Sequence, residues 1–136
     1  MQFMVWNDRI GVGVEDVDAD HKKLIAMINE LYDAILAGSG RKKLSALLDR
    51  LVDYTRYHFA REEELFARTG YPDAAAHKQQ HEEMAKWINT AWHRYRNSNI
   101  AAPSFEVMNY LKDWLFDHIL GSDRKFAPHM KAHHIR

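Results

Sequence analysis

An all-α fold is predicted: an up-down-up-down antiparallel four-helix bundle preceded by an N-terminal arm. Three observations predict it. Four stretches carry apolar residues at helical spacing. The connections between them are short and hold turn-forming residues. Histidines and carboxylates recur near the start of one stretch and the end of the next, so they meet at one end only if successive helices run antiparallel.

Size and composition bound the problem first. A chain of 136 residues has the length of one domain with a real core, and 46% hydrophobic with 28% charged residues is ordinary for a globular chain. The single domain is expected to divide into an arm over 1–17, a bundle over 18–126 and a tail over 127–136. The formal net charge is zero, so no nucleic-acid partner is expected. No cysteine is present, which excludes disulfides, thiolate metal sites and thiol nucleophiles. The opening MQFMVWNDRI lacks a charged start followed by an apolar run, and no stretch approaches the ~20 apolar residues of a membrane span. A cytoplasmic location, with no integral membrane segment, is expected.

Trp6, Ile10, Val12 and Val14 alternate through the first segment with no partner strand, so it reads as an arm along the body. Asp18 reads as the N-cap of the first helix, which carries Leu24, Ile25, Ile28, Leu31 and Ile35 with His21 on one stripe and ends near Gly38. The second helix covers Arg41 to Thr69, with Leu44, Leu48, Leu51, Thr55, His58, Glu62, Leu65 and Phe66 on its stripe. Gly70 is its C-cap, and Pro72 follows as a stop. Asp73 opens a third helix to about Asn97, with His77, His81, Met84 and Ile88 on one face. Ser104 caps a fourth, with Val107, Leu111, Trp114, Leu115 and His118 inward; Pro128 is expected to end it. His129, His133 and His134 read as a solvated end.

The chemistry concentrates between His58 and His81. His58 and Glu62 are four apart, as are His77 and His81, so each pair projects from one face of a helix. His21 lies upstream, and His118 and Asp123 downstream. The spacing is symmetric: 36 residues separate His21 from His58, and 36 separate His81 from His118. Any one of these histidines alone would read as an ordinary core or surface residue. Together, in an antiparallel bundle, they converge. Imidazole and carboxylate without thiolate suit iron, zinc, copper or manganese. Seven side chains exceed the needs of one ion. Two six-coordinate ions bridged by both carboxylates and one hydroxide use every ligand position but one, which suits the binding of one small molecule. His118 and Asp123 are five apart, about 140° around a regular helix, so a π-bulge or a local loosening of the helix is expected at Leu120 to Ser122. Asp20 is the candidate acceptor for the second ring nitrogen of His58.

The set H…HxxxE…HxxxH…HxxxxD, with the Trp6-containing arm and the turn FARTGYPDAAAH, resembles hemerythrin, and specifically the bacterial single-domain hemerythrins, over nearly the whole chain. Only the run Asp18, Ala19, Asp20, His21 departs from the family's D-x-Q-H. The resemblance implies two iron ions, hydroxo- or oxo-bridged, that bind dioxygen reversibly. His77, His81 and His118 would hold one iron and His21 and His58 the other, with Glu62 and Asp123 bridging. Leu24, Phe59, Trp114, Leu115 and Ile119 match the family's apolar oxygen pocket. The implied role is oxygen storage, transport or supply by a monomer, with an oxygen-consuming enzyme and a reductase as partners. Two other functions compete. A di-iron oxidase or peroxidase on a similar bundle would use Glu-x-x-His pairs, and none occurs in the chain. An oxygen sensor would need a separate signalling partner.

Overall fold

Four helical columns run antiparallel through the computed structural model, which describes residues 3–100 and 102–133. Helix α1 is Glu15–Leu36, α2 is Arg41–Thr69 and α3 is Ala74–Arg96. The fourth column is continuous but compound: α4 over Phe105–His118, a π turn over Ile119–Asp123, and α5 over Arg124–Ala132. The core is a single apolar seam in which Leu31, Leu44, Leu51, Met108, Ile119 and Phe126 are among the most deeply buried residues.

The helix ends follow from local chemistry. At the end of α2, Gly70 takes the left-handed conformation with φ of 63°, and its N–H and that of Tyr71 close on Phe66 O. The chain therefore reverses within a few residues, and α3 starts beside the end of α2. Ser104 caps α4, its hydroxyl oxygen accepting from Val107 N. Arg41, the first residue of α2, gathers the far end of α3. Its guanidinium donates to the carbonyls of Tyr95, Arg96, Ser98 and Ile100 and lies over the Tyr95 ring, a cation held at the negative end of that helix.

Several details depart from the sequence reading. Helix α1 begins at Glu15, with Val14 in the cap position, so the arm ends before residue 17. Asp18 is not the N-cap. Its carboxylate turns back to accept from Val12 N at 2.8 Å and Gly13 N at 3.1 Å, which ties the arm to the helix and supplies acceptors the arm's own backbone lacks. The arm's alternation does bury Ile10, Val12 and Val14, but among the described residues no strand forms. Instead Asp8–Ile10 makes a 3-10 turn capped by Asn7. Met4 is paired at both its N–H and its carbonyl with the Asn29 side chain of α1.

Pro128 does not end the last helix. It lies inside α5, exposed, while Phe126 and Met130 on the opposite face are wholly buried. Phe126 packs edge-on against Phe66 at 4.5 Å and beside Tyr71 at 4.6 Å. Burying a phenylalanine and a methionine, about 1.5–3 kcal/mol each, offsets the roughly 3 kcal/mol cost of an internal proline. His129 is likewise no solvated residue: its ring nitrogen donates to Thr69 O at 2.9 Å and the ring packs beside Tyr71. His133 is exposed, and His134 lies outside the described residues. Among the described residues, no helix is long and apolar enough to cross a membrane.

Candidate metal centre

His21, His58, Glu62, His77, His81, His118 and Asp123 all lie buried at one end of the bundle, each at most 5% exposed. Four columns deliver them. His21 comes from the second turn of α1, and His58 and Glu62 from the second half of α2. His77 and His81 come from the start of α3, His118 closes α4, and Asp123 closes the π turn. The π turn inserts one residue's worth of backbone, so a five-residue spacing turns Asp123 onto the face of His118, with Oδ1 3.1 Å from His118 Nε2.

The donor atoms fall into two groups that share both carboxylates. One group is Glu62, His77, His81, His118 and Asp123; the other is His21, His58, Glu62 and Asp123. In the first, His77 Nε2 stands 3.0 Å and His81 Nε2 3.2 Å from His118 Nε2, and Asp123 Oδ1 is 2.9 Å from His77 Nε2. In the second, His21 Nε2 is 2.9 Å from Asp123 Oδ2 and His58 Nε2 is 2.7 Å from Glu62 Oε1. Ligand atoms at right angles around an ion with bonds of ~2.1 Å stand ~3.0 Å apart. The short separations in both groups match that value, while Glu62 Oε2 stands further off, 3.5 Å from His77 Nε2 and 3.9 Å from His81 Nε2.

Hydrogen bonding among these side chains cannot account for the arrangement. His21 Nε2, His58 Nε2, both Glu62 oxygens and both Asp123 oxygens are buried without a partner of acceptable geometry, despite the short distances. Three ring nitrogens crowd together where at most one proton can sit between any two of them. A buried polar atom left unpaired costs about 1–3 kcal/mol, so a cluster of them signals a ligand that pairs them together. The residues fit two cations.

The electrostatics agree. Burial pushes the Glu62 carboxyl well above its ordinary range, and the neighbouring Asp123 charge adds to it. Burial also works to raise Asp123, but the charge of His118 and the close approach of the His118, His21 and His77 rings, at 2.9–3.1 Å, outweigh it and hold Asp123 well below its usual range. Burial, with His118 and His77 alongside, drives His81 down to about 2, so that imidazole is neutral and free to donate its lone pair.

On their outer side, three rings of the cluster have fixed partners. His58 Nδ1 meets Asp20 Oδ2 at 3.0 Å, as the sequence predicts, and Asp20 also accepts from Tyr54 and Arg61. His81 Nδ1 meets Glu63 Oε2 at 3.2 Å, and His118 Nδ1 meets Gln80 Oε1 at 3.1 Å, with Ser122 donating to the same oxygen. Glu63, Gln80 and Tyr54 were not legible in the sequence. Their only signal is adjacency to a ligand, or one-turn spacing from one, on a face flanking the inward stripe.

The apolar residues divide. Leu24, Phe59, Trp114 and Leu115 line a cavity of about 20 Å³ with Ile28, Thr55, Met84 and Leu111 among its other walls. Ile119 is wholly buried but does not line that cavity. Phe59 stacks on His81 at 4.0 Å, and Trp114, itself only half-buried, stacks on His118 at 4.6 Å. Thr55 is the one hydroxyl in the lining, and it is committed to Leu51 O. The cavity is thus apolar and near the minimum size for a single small molecule.

Residues 12–130 match the family described as hemerythrin HHE cation binding domain. The chain belongs to the hemerythrin family. It is 39% identical over 133 residues to a bacteriohemerythrin of Stenotrophomonas maltophilia (strain R551-3), covering 98% of this chain and 85% of that one. It is 30% identical to the bacteriohemerythrin of Methylococcus capsulatus, over 97% of this chain and all of the relative. Among solved structures, wild-type hemerythrin superposes with a TM-score of 0.84 at 29% identity, covering 93% of this chain and 96% of that one. A single-substitution hemerythrin mutant gives 0.86 at 28% identity, covering 95% and 98%. The hemerythrin bundle and the buried histidine–carboxylate cluster therefore occur together in one chain.

Proposed function

We propose that this chain binds dioxygen reversibly at a di-iron centre, for storage, transport or supply. In this reading His77, His81 and His118 hold one iron, His21 and His58 hold the other, and Glu62 and Asp123 bridge them. The observation that carries it is the pair of donor groups sharing both carboxylates, with an apolar cavity among the helices beside them. The unequal histidine count supports one iron with an open position. When bound, the iron pair supplies the reversible electron exchange that dioxygen binding needs.

The chain's own residues do the rest. Asp20, Glu63 and Gln80 orient three ligand rings and fix which nitrogen faces the centre. Phe59 and Trp114 hold His81 and His118 by stacking. Leu24 and Leu115 keep water from the cavity. No acid or base lies in that lining, so nothing there delivers a proton to a bound molecule, which favours a binding protein over a catalyst.

Elemental analysis and absorption spectroscopy test this. Two irons per chain are expected, with visible bands that appear when the reduced protein meets air and vanish on degassing. One metal per chain, preferential zinc in iron-replete cells, or bands that never reverse would overturn the proposal.

A further inference from the structure

At the opposite end of the bundle, α3 and α4 approach each other less closely than their neighbours do, and a pocket of about 560 Å³ opens between them. Its size is that of a small-molecule site. We infer that it binds an amphipathic anion of medium chain length, of the fatty-acid class, with its carboxylate at Arg94 and its alkyl tail along the seam between α3 and α4.

The walls dictate the tail. Trp87, Ile88, Val107, Met108 and Leu111 present apolar surface from the two facing helices. Ile88 and Leu111 also wall the small cavity beside the metal cluster, so they close the pocket's inner end. The distance from Lys86 to Arg94 along α3 is eight residues, about 12 Å, which an extended chain of about ten carbons spans.

The rim dictates the head. Three ionisable acidic or basic side chains other than tyrosine line the pocket: Glu83, Lys86 and Arg94. Glu83 and Lys86 are three apart on α3, so their opposite charges share one face and sum to zero, although among the described residues no ion pair joins them. Arg94 has no such neighbour in the lining, and among the described residues it forms no ion pair. Across the mouth is Ser104 at the start of α4, where the helix dipole also favours negative charge. The pocket therefore carries one uncompensated positive charge at its outer end, above an apolar interior. Arg41 ties together the last turn of α3, at Tyr95 and Arg96, and the loop after it, at Ser98 and Ile100, so this end is framed before any ligand arrives.

The inference is independent of the metal reading and is tested on the chain of 136 residues as isolated. Isothermal titration with decanoate below its micelle concentration should show saturable binding of one molecule per chain. Decanol, with the same tail and no charge, should bind at least tenfold more weakly. Arg94→Glu, a change at an exposed position, should reverse the preference in favour of decylammonium. Val107→Trp, which fills the pocket from a half-buried position, should weaken decanoate at least tenfold with the visible spectrum and helical circular dichroism retained. Absence of saturable binding, equal affinity for decanol, or unchanged binding in either folded variant overturns the proposal. So does sedimentation as a dimer that Arg94→Glu dissociates, which would make this face a contact between copies. Should Val107→Trp fail to fold, the charge reversal decides alone.

Discussion

Asp20 Oδ2 lies 3.0 Å from Nδ1 of His58, one helix away, and both side chains are buried. Burial alone would raise the Asp20 carboxyl, but the hydrogen bonds from His58 and Tyr54 and the charges of His58 and Arg61 outweigh it and lower its pKa. The contact fixes the His58 tautomer with Nε2 toward the cluster.

Asp20→Asn keeps the shape but loses the charge. It should weaken iron retention by roughly 10–100-fold, the usual cost of removing such a partner. Competition with a ferrous chelator, mutant beside wild type, measures this. The pH dependence has a defined sign. Because the folded pKa is depressed, the carboxylate's contribution is present above its unfolded value of about 3.9 and is lost as pH falls through the folded value. Melting temperatures of wild type and mutant should converge below about pH 3.9, and equal slopes throughout would remove Asp20 from the account.

The π turn leads to a second expectation. Gly121 is exposed, and a Cβ placed on it would meet nothing within 4 Å. Deleting Gly121 should convert the turn to regular α-helix with His118 and the aspartate four apart, still on one face. Iron should be retained within about tenfold of wild type. Deleting Leu120, Gly121 and Ser122 leaves His118 and the aspartate two apart, about 200° around the helix, and should abolish one iron. Retention of both irons in the triple deletion would show that the helical register does not position this ligand.

Leu115 is 5% exposed and walls the small cavity. Leu115→Ser should admit water and speed autoxidation about tenfold or more, corresponding to a barrier lower by about 1.4 kcal/mol. The fold should lose about 2–4 kcal/mol, as for a truncated core leucine. Decay of the oxygenated bands in air, with bound iron checked in both proteins, reads the effect. An unchanged rate in an iron-replete mutant defeats the explanation at this position.

Removing metal should destabilise the bundle, because His21 Nε2, His58 Nε2 and the oxygens of Glu62 and Asp123 then stay buried without partners. A ligand at 1,000 times its dissociation constant contributes about 4 kcal/mol. For a chain of this size the melting temperature should fall on the order of 10 °C on chelation and recover with ferrous iron. A melt indifferent to chelation, with iron verified as removed, would contradict this.

The sequence by itself determined the bundle and the cluster at its end. Apolar periodicity marks which face of each helix is buried, and the pairs His58/Glu62 and His77/His81 sit on that face. Gly70 then requires the chain to reverse between them. These are local relations, set by 3.6 residues per turn and by the backbone freedom of glycine. The expected π turn was legible for the same reason: five residues cannot share a helix face unless the helix changes pitch. What only tertiary structure decided are relations between columns. Glu63 meets His81 and Gln80 meets His118 because the axial register of α3 against α2 and α4 brings those atoms within reach, and no spacing along one chain encodes that register. Asp18 bonds back to the arm rather than capping α1, because the arm's packing brings two unpaired N–H groups to it. Pro128 stays helical because Phe66 and Tyr71 give Phe126 a place to be buried. A local propensity of a few kcal/mol yields wherever packing across helices offers as much or more.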